Sequence, residues 1–275
     1  MIFDRLRRET PRTIFDNIQK TLTGFFNRNR YGYQGNYGSW AEALEVSGGY
    51  DSEQILDKVR DALLKVKRGE AVYERDSILF DEIQYSWPLL AGLLWAASRN
   101  GNRLNLIDFG GSLGSTYYQN KTFLSHVPEL QWSIVEQQNF VECGKRNFET
   151  EQVKFYHSLD ECMAERHPDT LLLCSVLPYL ERPYELLQEA INRGFSSIIV
   201  DRTPVLLTGD DRITVQQVPP SIYQASYPAW FLNKQKLCRF LEPAYELVAE
   251  FDALAGEVQL EDGIAYEMGF ILKKK

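Results

Sequence analysis

A predicted strand runs into a glycine-rich turn at residues 104–115, in the order Leu-Asn-Leu-Ile-Asp-Phe-Gly-Gly-Ser-Leu-Gly-Ser. Gly110, Gly111 and Gly114 remove side chains where the backbone must turn tightly and approach a ligand, and the helix that follows would present unpaired N–H groups. The next predicted strand ends at Glu136, where a carboxylate can accept hydrogen bonds from both hydroxyls of a ribose. Together these features predict a nucleoside-containing cofactor at one edge of a sheet.

Asp108, inside this turn, separates two kinds of cofactor. A dinucleotide carries a pyrophosphate and favours Gly-x-Gly-x-x-Gly, whereas S-adenosylmethionine (SAM) has no phosphate and carries a cation and an amino-acid end. A carboxylate in the turn would repel a pyrophosphate, but it can serve the cationic aminopropyl end directly or through water. We therefore expect SAM. The alternatives are that Asp108 is a capping carboxylate and that Glu136 is a solvated charge at a strand end.

The turn resembles the first motif of class I SAM-dependent methyltransferases, and Glu136 resembles their second. It departs from their commonest pattern, Gly-x-Gly, because its first two glycines are adjacent. The chain is similar to an uncharacterised family of bacterial methyltransferases over most of residues 37–272. The stretches that carry this similarity are Tyr50-Asp51, residues 73–77 (Tyr-Glu-Arg-Asp-Ser), residues 107–114 and residues 227–230 (Tyr-Pro-Ala-Trp).

The resemblance implies a methyltransferase of class EC 2.1.1 and assigns further parts of its cofactor site. Residues 158–160, after the third strand, would approach the adenine, with Asp160 as the binding side chain. Residues 175–179 (Ser-Val-Leu-Pro-Tyr), after the fourth strand, would flank the methyl group through Ser175 and Tyr179. Val176 and Leu177 could equally be part of the sheet core.

Aromatic and basic side chains are candidates for the acceptor site. Arg202 follows the fifth strand at the ligand-binding edge, where it could hold an anionic acceptor or form a surface salt bridge with Asp201. Tyr223, Tyr227 and Trp230 could form an apolar wall for the acceptor, or they could pack in the ordinary way.

Residues 37–77 are expected to cover the carboxyl edge of the sheet, which would otherwise leave the methyl group in solvent. Within this cover, Tyr50 and Arg75 are expected to contact the acceptor, and Asp76 would orient it or cap the next helix. Tyr50, Tyr179 and Arg202 are expected at the reacting atoms. Methyl transfer would then depend mainly on positioning, because no dedicated base stands out.

The elements that must position these residues follow a strand–helix alternation from residue 103. Five strand candidates are separated by segments long enough for crossover helices, and two more strands form a hairpin near the C-terminus. This pattern predicts a Rossmann-like, doubly wound α/β sheet of seven strands, mostly parallel, with an antiparallel C-terminal hairpin. The strand candidates are residues 104–109, 131–135, 153–156, 170–176, 197–200, 245–251 and 265–272.

Three segments are expected along the chain: an arm at 1–30, a helical cap at 31–102 and the SAM-binding domain at 103–275. The arm is basic and amphipathic, and it would support a homodimer or a weak contact with a membrane surface. Within the cap, residues 31–50 are rich in glycine and aromatics and suggest a loop. Helices are predicted at 51–69 and at 78–99, with Pro88 either starting a fresh helix or kinking the second one.

Composition narrows the class of function. The net charge of −8 disfavours nucleic acid as a partner and favours a small-molecule acceptor. The four cysteines are separated and the three histidines are unpaired, so no metal site is predicted. No apolar run is long enough for a membrane span and the first ten residues do not resemble a signal peptide, so we expect a cytoplasmic protein.

Two other functions compete with methyl transfer. An NAD(P)-dependent oxidoreductase is suggested by Tyr117 and Lys121, which have the Tyr-x-x-x-Lys spacing of short-chain dehydrogenases. These residues fall on the helix that follows the glycine turn, however, which is the wrong place for hydride chemistry. A non-catalytic SAM-binding protein is the second rival, because a fold alone does not establish activity.

Overall fold

The computed structural model of the chain describes residues 31–49, 52–220 and 222–275. The predicted arm at 1–30, and with it Tyr50 and Asp51, lies outside these residues. No helix of the described part is long and apolar enough to cross a membrane. The helices are α1 Trp40–Glu45, α2 Ser52–Lys67, α3 Trp87–Arg99, α4 Ser115–Leu124, α5 Gln138–Asn147, α6 Leu159–Arg166, α7 Pro183–Arg193 and α8 Lys234–Leu241, with a 3₁₀ turn at Leu177–Tyr179.

Twelve strands are found in the described residues, and seven of them form the main sheet. Five neighbouring strands run parallel in the order β6-β5-β4-β7-β8, and β12 and then β11 continue the sheet antiparallel. All seven predicted strands and the C-terminal hairpin are confirmed. The strands are β1 Gly32–Tyr37, β2 Tyr73–Arg75, β3 Ile78–Phe80, β4 Arg103–Phe109, β5 Glu129–Val135, β6 Val153–Tyr156, β7 Thr170–Cys174, β8 Ser197–Leu206, β9 Arg212–Gln217, β10 Ser226–Asn233, β11 Tyr245–Gln259 and β12 Ile264–Lys274.

The parallel strands are apolar on both faces because helices cover both faces. Leu106 of β4 lies in one hydrophobic core, with side chains from α2 to α5, whereas Ile107 lies in the other, with side chains from α6 to α8. The chain moves outward from β4 through β5 to β6 and then returns to β7 on the other side of β4. This reversal opens a crevice at the carboxyl end of β4, where doubly wound sheets bind ligands.

Three antiparallel strands, which we call the β1-β9-β10 layer, belong to the same ten-stranded sheet and join its other strands through two residue pairs between β10 and β8. The expected total of seven strands did not include it. The loop predicted at 31–50 was wrong, because this segment contains β1 and α1. Strand β1 pairs with β9, which lies far along the chain, and α1 begins after Ser39, whose hydroxyl accepts a hydrogen bond from the Glu42 N–H.

Residues 73–80 form a hairpin, β2–β3, where the sequence predicts the start of a helix from residue 78. Asp76 and Ser77 both have positive φ, 52° and 68°, which is typical of a type I′ hairpin turn. Asp76 is therefore not a helix cap. Helix α3 begins at Trp87 with Pro88 in its first turn, so this proline starts a fresh helix, the first of the two roles considered for it. The segment 31–102 thus contains three strands as well as helices.

Candidate cofactor and acceptor site

The glycine turn follows β4 and leads directly into α4, at the carboxyl edge of the sheet. Gly110 has φ +69°, and a Cβ added there would collide with Val176. A Cβ on Gly111 would lie 2.5 Å from the carboxyl carbon of Asp108. Gly114, with φ +99°, is the N-cap residue of α4. The turn therefore packs so closely on its neighbours that residues with side chains could not occupy these positions without displacement.

Asp108 lies beneath the turn and is fully buried. Its Oδ2 accepts a hydrogen bond from the indole Nε1 of Trp132 at 3.1 Å, and its Oδ1 has no partner among the described residues. Burial raises the pKa of Asp108 to about 7, although the Trp132 bond acts in the opposite direction. The predicted direct contact with a cofactor does not fit this placement, since Gly111 covers the carboxyl group. Asp108 supports the turn from below instead.

Glu136 follows the last residue of β5 and lies next to the glycine turn. Its Oε2 accepts a hydrogen bond from the Gln137 N–H at 2.7 Å. Burial raises the pKa of Glu136, while hydrogen bonds from the backbone of Gln137 and Ser112 lower it. Ser112 belongs to the turn itself, so this carboxylate connects the ends of β4 and β5. This is the position predicted for a ribose-binding carboxylate.

The segment after β7 closes over the other side of the turn. Ser175 has φ +57° and donates its N–H to the Asp201 carbonyl at 3.0 Å, which ties the end of β7 to the middle of β8. Val176 covers Gly110, and Leu177 is fully buried. These two residues therefore belong to the core, one of the two roles considered for them. Tyr179 points toward the β1-β9-β10 layer.

Tyrosines from separate parts of the chain meet above this edge. Gln216 of β9 lies between Tyr33 of β1 and Tyr227 of β10 in the strand register, and its Oε1 accepts a hydrogen bond from the Tyr179 hydroxyl at 2.9 Å. The rings of Tyr179 and Tyr227 are 5.3 Å apart, edge to face, and the hydroxyls of Tyr223 and Tyr227 are 3.4 Å apart. We call these residues the tyrosine cluster: Tyr33, Tyr179, Gln216, Tyr223 and Tyr227.

The tyrosine cluster brings together three of the predicted residues, Tyr179, Tyr223 and Tyr227. Burial raises the pKa of Tyr33, Tyr179 and Tyr227 well above the ordinary tyrosine value, so these phenols keep their protons at neutral pH. Sequence reasoning missed Tyr33 and Gln216. The only signal for Tyr33 was its place in an aromatic-rich segment, and a single glutamine in a segment without a predicted element gives none.

Trp230 does not belong to this cluster. It lies three residues after Tyr227 on β10, and side chains separated by an odd number of strand residues point to opposite faces. Its indole stacks on Trp40 of α1, with ring centroids 6.2 Å apart, and packs near the buried Ile213. The predicted role of Trp230 in an acceptor wall is replaced by support of the β1-β9-β10 layer from behind.

Arg202, at φ +51° near the middle of β8, forms an ion pair with Asp76 in the hairpin turn. The Nη2–Oδ2 distance is 3.1 Å, and the arginine side chain is 21% exposed against 56% for the aspartate. The salt bridge considered for Arg202 therefore exists, although its partner is Asp76 and not Asp201. Tyr73 lies beside this pair, and burial raises its pKa to about 12. The pair joins the N-terminal hairpin to the carboxyl edge of the sheet.

Asp160 lies apart from the other predicted cofactor residues. Its side chain is 86% exposed and forms an ion pair with Nη2 of Arg193 at 2.7 Å. The carboxylate is turned toward helix α7 and is not directed at the crevice, because it occupies the first turn of α6 after the Ser158 cap. In this structure the Asp160 carboxylate is engaged by Arg193, and its contact with an adenine ring stays a prediction.

The hairpin β2–β3 packs against the start of α4. Glu74 is 1% exposed and accepts hydrogen bonds from the Ser77 N–H at 2.7 Å and the Ser115 hydroxyl at 2.5 Å. Burial raises the pKa of Glu74 to about 7, against the effect of these hydrogen bonds. Arg75, the next residue, lines a narrow pocket together with Ser115. Arg75 is thus placed beside the glycine turn, and Glu74 is a site residue that sequence reasoning missed.

Among residues 31–49, 52–220 and 222–275, the histidine, cysteine and acidic side chains form no group of three that could hold a metal ion.

The chain matches no protein-family model and no curated protein by sequence. Among solved structures, it is similar to the N-terminal domain of EvdMO1, determined with S-adenosylhomocysteine (SAH) and D-fucose, at 14% identity over 82% of this chain and 98% of that one, with a TM-score of 0.48. It is also similar to SAM-bound magnesium protoporphyrin IX methyltransferase from Synechocystis PCC 6803, at 11% identity over 83% and 99% of the two chains, with a TM-score of 0.42.

A third similar structure is 1,6-didemethyltoxoflavin-N1-methyltransferase from Burkholderia thailandensis with its substrate and SAH, at 14% identity over 82% of this chain and 92% of that one, with a TM-score of 0.40. These three structures contain SAM or SAH. At such values the likeness is one of general fold, and the function of the chain has to be argued from its own residues.

Proposed function

We propose that the chain is a SAM-dependent methyltransferase, of class EC 2.1.1, that acts on a small molecule. The observation that carries this proposal is the half-buried Glu136 carboxylate beside Ser112 of the glycine turn. A carboxylate in this position suits the two hydroxyls of a ribose. The second carboxyl group near the turn, Asp108, fills the space below it, and any charge that it carries there is negative, which is unfavourable for a pyrophosphate and compatible with a cation.

The structure does not support the oxidoreductase alternative, because Tyr117 and Lys121 do not form a catalytic pair. Tyr117 is 4% exposed, packs on Trp132 and donates its hydroxyl to Gln152 at 3.1 Å. Lys121 instead lies over the ring of Tyr118, 5.8 Å from its centroid. A tyrosine held in the core by Gln152 and Trp132 cannot protonate a substrate carbonyl, so the Tyr-x-x-x-Lys spacing reflects one helix face.

The residues above the crevice support catalysis by positioning. SAM, when bound, supplies an electrophilic methyl group, and the protein has to hold an acceptor lone pair in line with it. The protonated hydroxyls of the tyrosine cluster can orient a neutral acceptor by hydrogen bonds and exclude water from it. Because Arg202 is already paired with Asp76, it holds the hairpin in place and is a poorer ligand for an anionic acceptor. We accordingly propose a neutral acceptor and no metal ion.

The cover over the carboxyl edge is proposed to comprise residues 31–102 and the strands β9 and β10. Tyr33, the hairpin and the tyrosines of β10 approach the edge from these parts. We propose that residues 103–275 hold the cofactor and that the arm at 1–30 serves a partner subunit or a membrane surface. Deleting residues 1–30 should then leave SAH affinity unchanged.

The four free cysteines favour a reducing compartment such as the cytoplasm.

Calorimetry with SAM, SAH and NADH on the purified full chain tests the proposal. We expect binding of SAM and SAH and no heat with NADH. Binding of NADH without binding of SAM would overturn it. Enzymatic methyl transfer is separated from simple SAM binding by following SAH release with a set of neutral small-molecule acceptors. Tyr179→Phe should lower that release while leaving SAH affinity unchanged, because the lost hydroxyl belongs to the acceptor side.

A further inference from the structure

A narrow polar pocket lies between the hairpin β2–β3, the first turn of α4, the end of β7 and the middle of β8. Arg75, Ser115, Thr116, Cys174 and Asp201 are among its lining residues. Its volume is about 20 Å³, which has room for about one water molecule, so only the terminal polar atoms of a ligand can enter it while the rest of the ligand stays in the crevice. The pocket therefore suits one end of a ligand whose bulk lies elsewhere.

Two groups of opposite charge in this pocket have polar atoms without a partner. Nη1 of Arg75 and Oδ1 of Asp201 are both buried, and neither forms a hydrogen bond within the described residues. The two side chains line the same pocket without forming an ion pair with each other. The guanidinium of Arg75 rests on the ring of Phe80, 5.4 Å from its centroid, and Asp201 is only 1% exposed. Leaving such atoms buried and unpaired is costly, so a ligand that satisfies both is favoured.

Asp201 is held in place by its surroundings. Its Oδ2 lies 4.0 Å from the Sγ of Cys174, and Ser86 also contributes a hydrogen bond to the carboxyl group. Burial raises the pKa of Asp201 to about 6, and the nearby Arg202 lowers it. At neutral pH the carboxylate is ionised, and it can pair with a ligand cation.

The pocket and Glu136 lie at opposite ends of the crevice. Glu136 follows β5 and Asp201 lies on β8, and the strand order between them is β5-β4-β7-β8. Three strand spacings correspond to about 14 Å. An extended ligand could reach from a ribose at Glu136, across the glycine turn, to an amino-acid group at Asp201. Glu74 fixes the hairpin to Ser115 and so sets the distance of Arg75 from the turn.

We infer that this pocket binds the amino-acid end of SAM, with Arg75 pairing with the carboxylate and Asp201 pairing with the ammonium group. The inference rests on the proposed function. It also implies that the N-terminal hairpin completes the cofactor site, so that Arg75 acts on the cofactor and not on the acceptor as the sequence suggested. An amino-acid acceptor would present the same chemistry, and cofactor analogues tested without any acceptor distinguish the two sources.

The test compares SAH with 5′-methylthioadenosine, which keeps the nucleoside and sulfur but has no amino-acid end. Arg75→Met keeps the length of the side chain and removes its charge. We expect this variant to bind SAH about 10- to 100-fold more weakly, as for one lost charge-assisted pair, and to bind methylthioadenosine within about twofold of wild type. Arg68→Met, an exposed arginine at the end of α2, is the matched control and should change neither affinity.

A third ligand separates the two halves of the pocket. The analogue of SAH that has a 3-aminopropyl group lacks the carboxylate and keeps the ammonium group. Arg75→Met should not weaken its binding, whereas Asp201→Asn should weaken both this analogue and SAH. Binding of methylthioadenosine by each variant reports that the fold and the nucleoside site are intact.

Equal losses for SAH and methylthioadenosine in Arg75→Met would overturn the inference, because Arg75 would then act through the glycine turn. Equal affinity of the wild-type protein for these two ligands would also overturn it, since the pocket would contribute nothing. Failure of the wild-type protein to bind any adenosyl ligand would instead refute the proposed function itself.

Discussion

Replacing Asp108 by asparagine should make the protein more stable at pH 8 and leave its stability almost unchanged near pH 4. The folded protein raises the pKa of this fully buried carboxyl group to about 7, whereas an unfolded chain keeps it near the ordinary value of about 3.9. Between these values the folded state holds a proton that the unfolded state has released. The stability that the protonated Asp108 contributes to the wild-type protein is therefore fully present below about pH 4 and is lost as the pH rises through 7.

The size of the effect follows from the shift of about 3 pH units. At about 1.4 kcal/mol per unit, ionisation of buried Asp108 costs on the order of 4 kcal/mol by pH 8. Asparagine has nearly the same shape, its amide oxygen can accept the hydrogen bond from Trp132, and it does not titrate in this range. The difference in free energy of unfolding between the variant and the wild type should therefore grow by about that amount between pH 4 and pH 8.

Urea unfolding at several pH values, followed by tryptophan fluorescence at constant ionic strength, measures this difference. Glu74 and Asp201 also have raised pKa values, about 7 and about 6, but they are present in both proteins and cancel. Glu74→Gln is a useful second variant, because it should show the same direction of change. Parallel pH profiles for wild type and Asp108→Asn would refute the reasoning, since they would mean that Asp108 carries no excess proton in the folded state.

Three further predictions concern the turn and its chemistry. Glu136→Gln should weaken SAH binding by about 1 to 3 kcal/mol in calorimetry without changing the unfolding midpoint, and an unchanged affinity would make Glu136 a simple surface charge. Gly110→Ala should lose about 1 to 3 kcal/mol more stability than Gly209→Ala in urea unfolding. Both have positive φ, but only the Cβ at 110 meets a neighbour, Val176, so equal losses would contradict the packing described. Methyl transfer should persist in EDTA, and a loss that magnesium restores would show that a metal is required.

Local pattern alone was enough to predict the main sheet. Residues 104–109 alternate between two faces, and both faces are mainly apolar in sequence, which indicated a strand covered by helices on both sides. The role of the turn glycines could also be predicted from the sequence, because a tight turn over packed neighbours leaves no space for a Cβ at 110 or 111. Glu136 followed from the same logic, since the carboxyl ends of neighbouring parallel strands meet at one edge.

Tertiary structure decided which side chains meet at that edge. Tyr33 reaches the tyrosine cluster only because β1 pairs with β9, and Arg202 finds Asp76 across 126 residues of chain. Periodicity reports which face of an element is apolar, but it contains no information about which distant element will cover that face. The burial of the charged residue Asp108 could not be predicted from local sequence either. Its type suggested a ligand contact, whereas the packing of the turn buried it against Trp132, and burial depends on neighbours that a local sequence pattern does not specify.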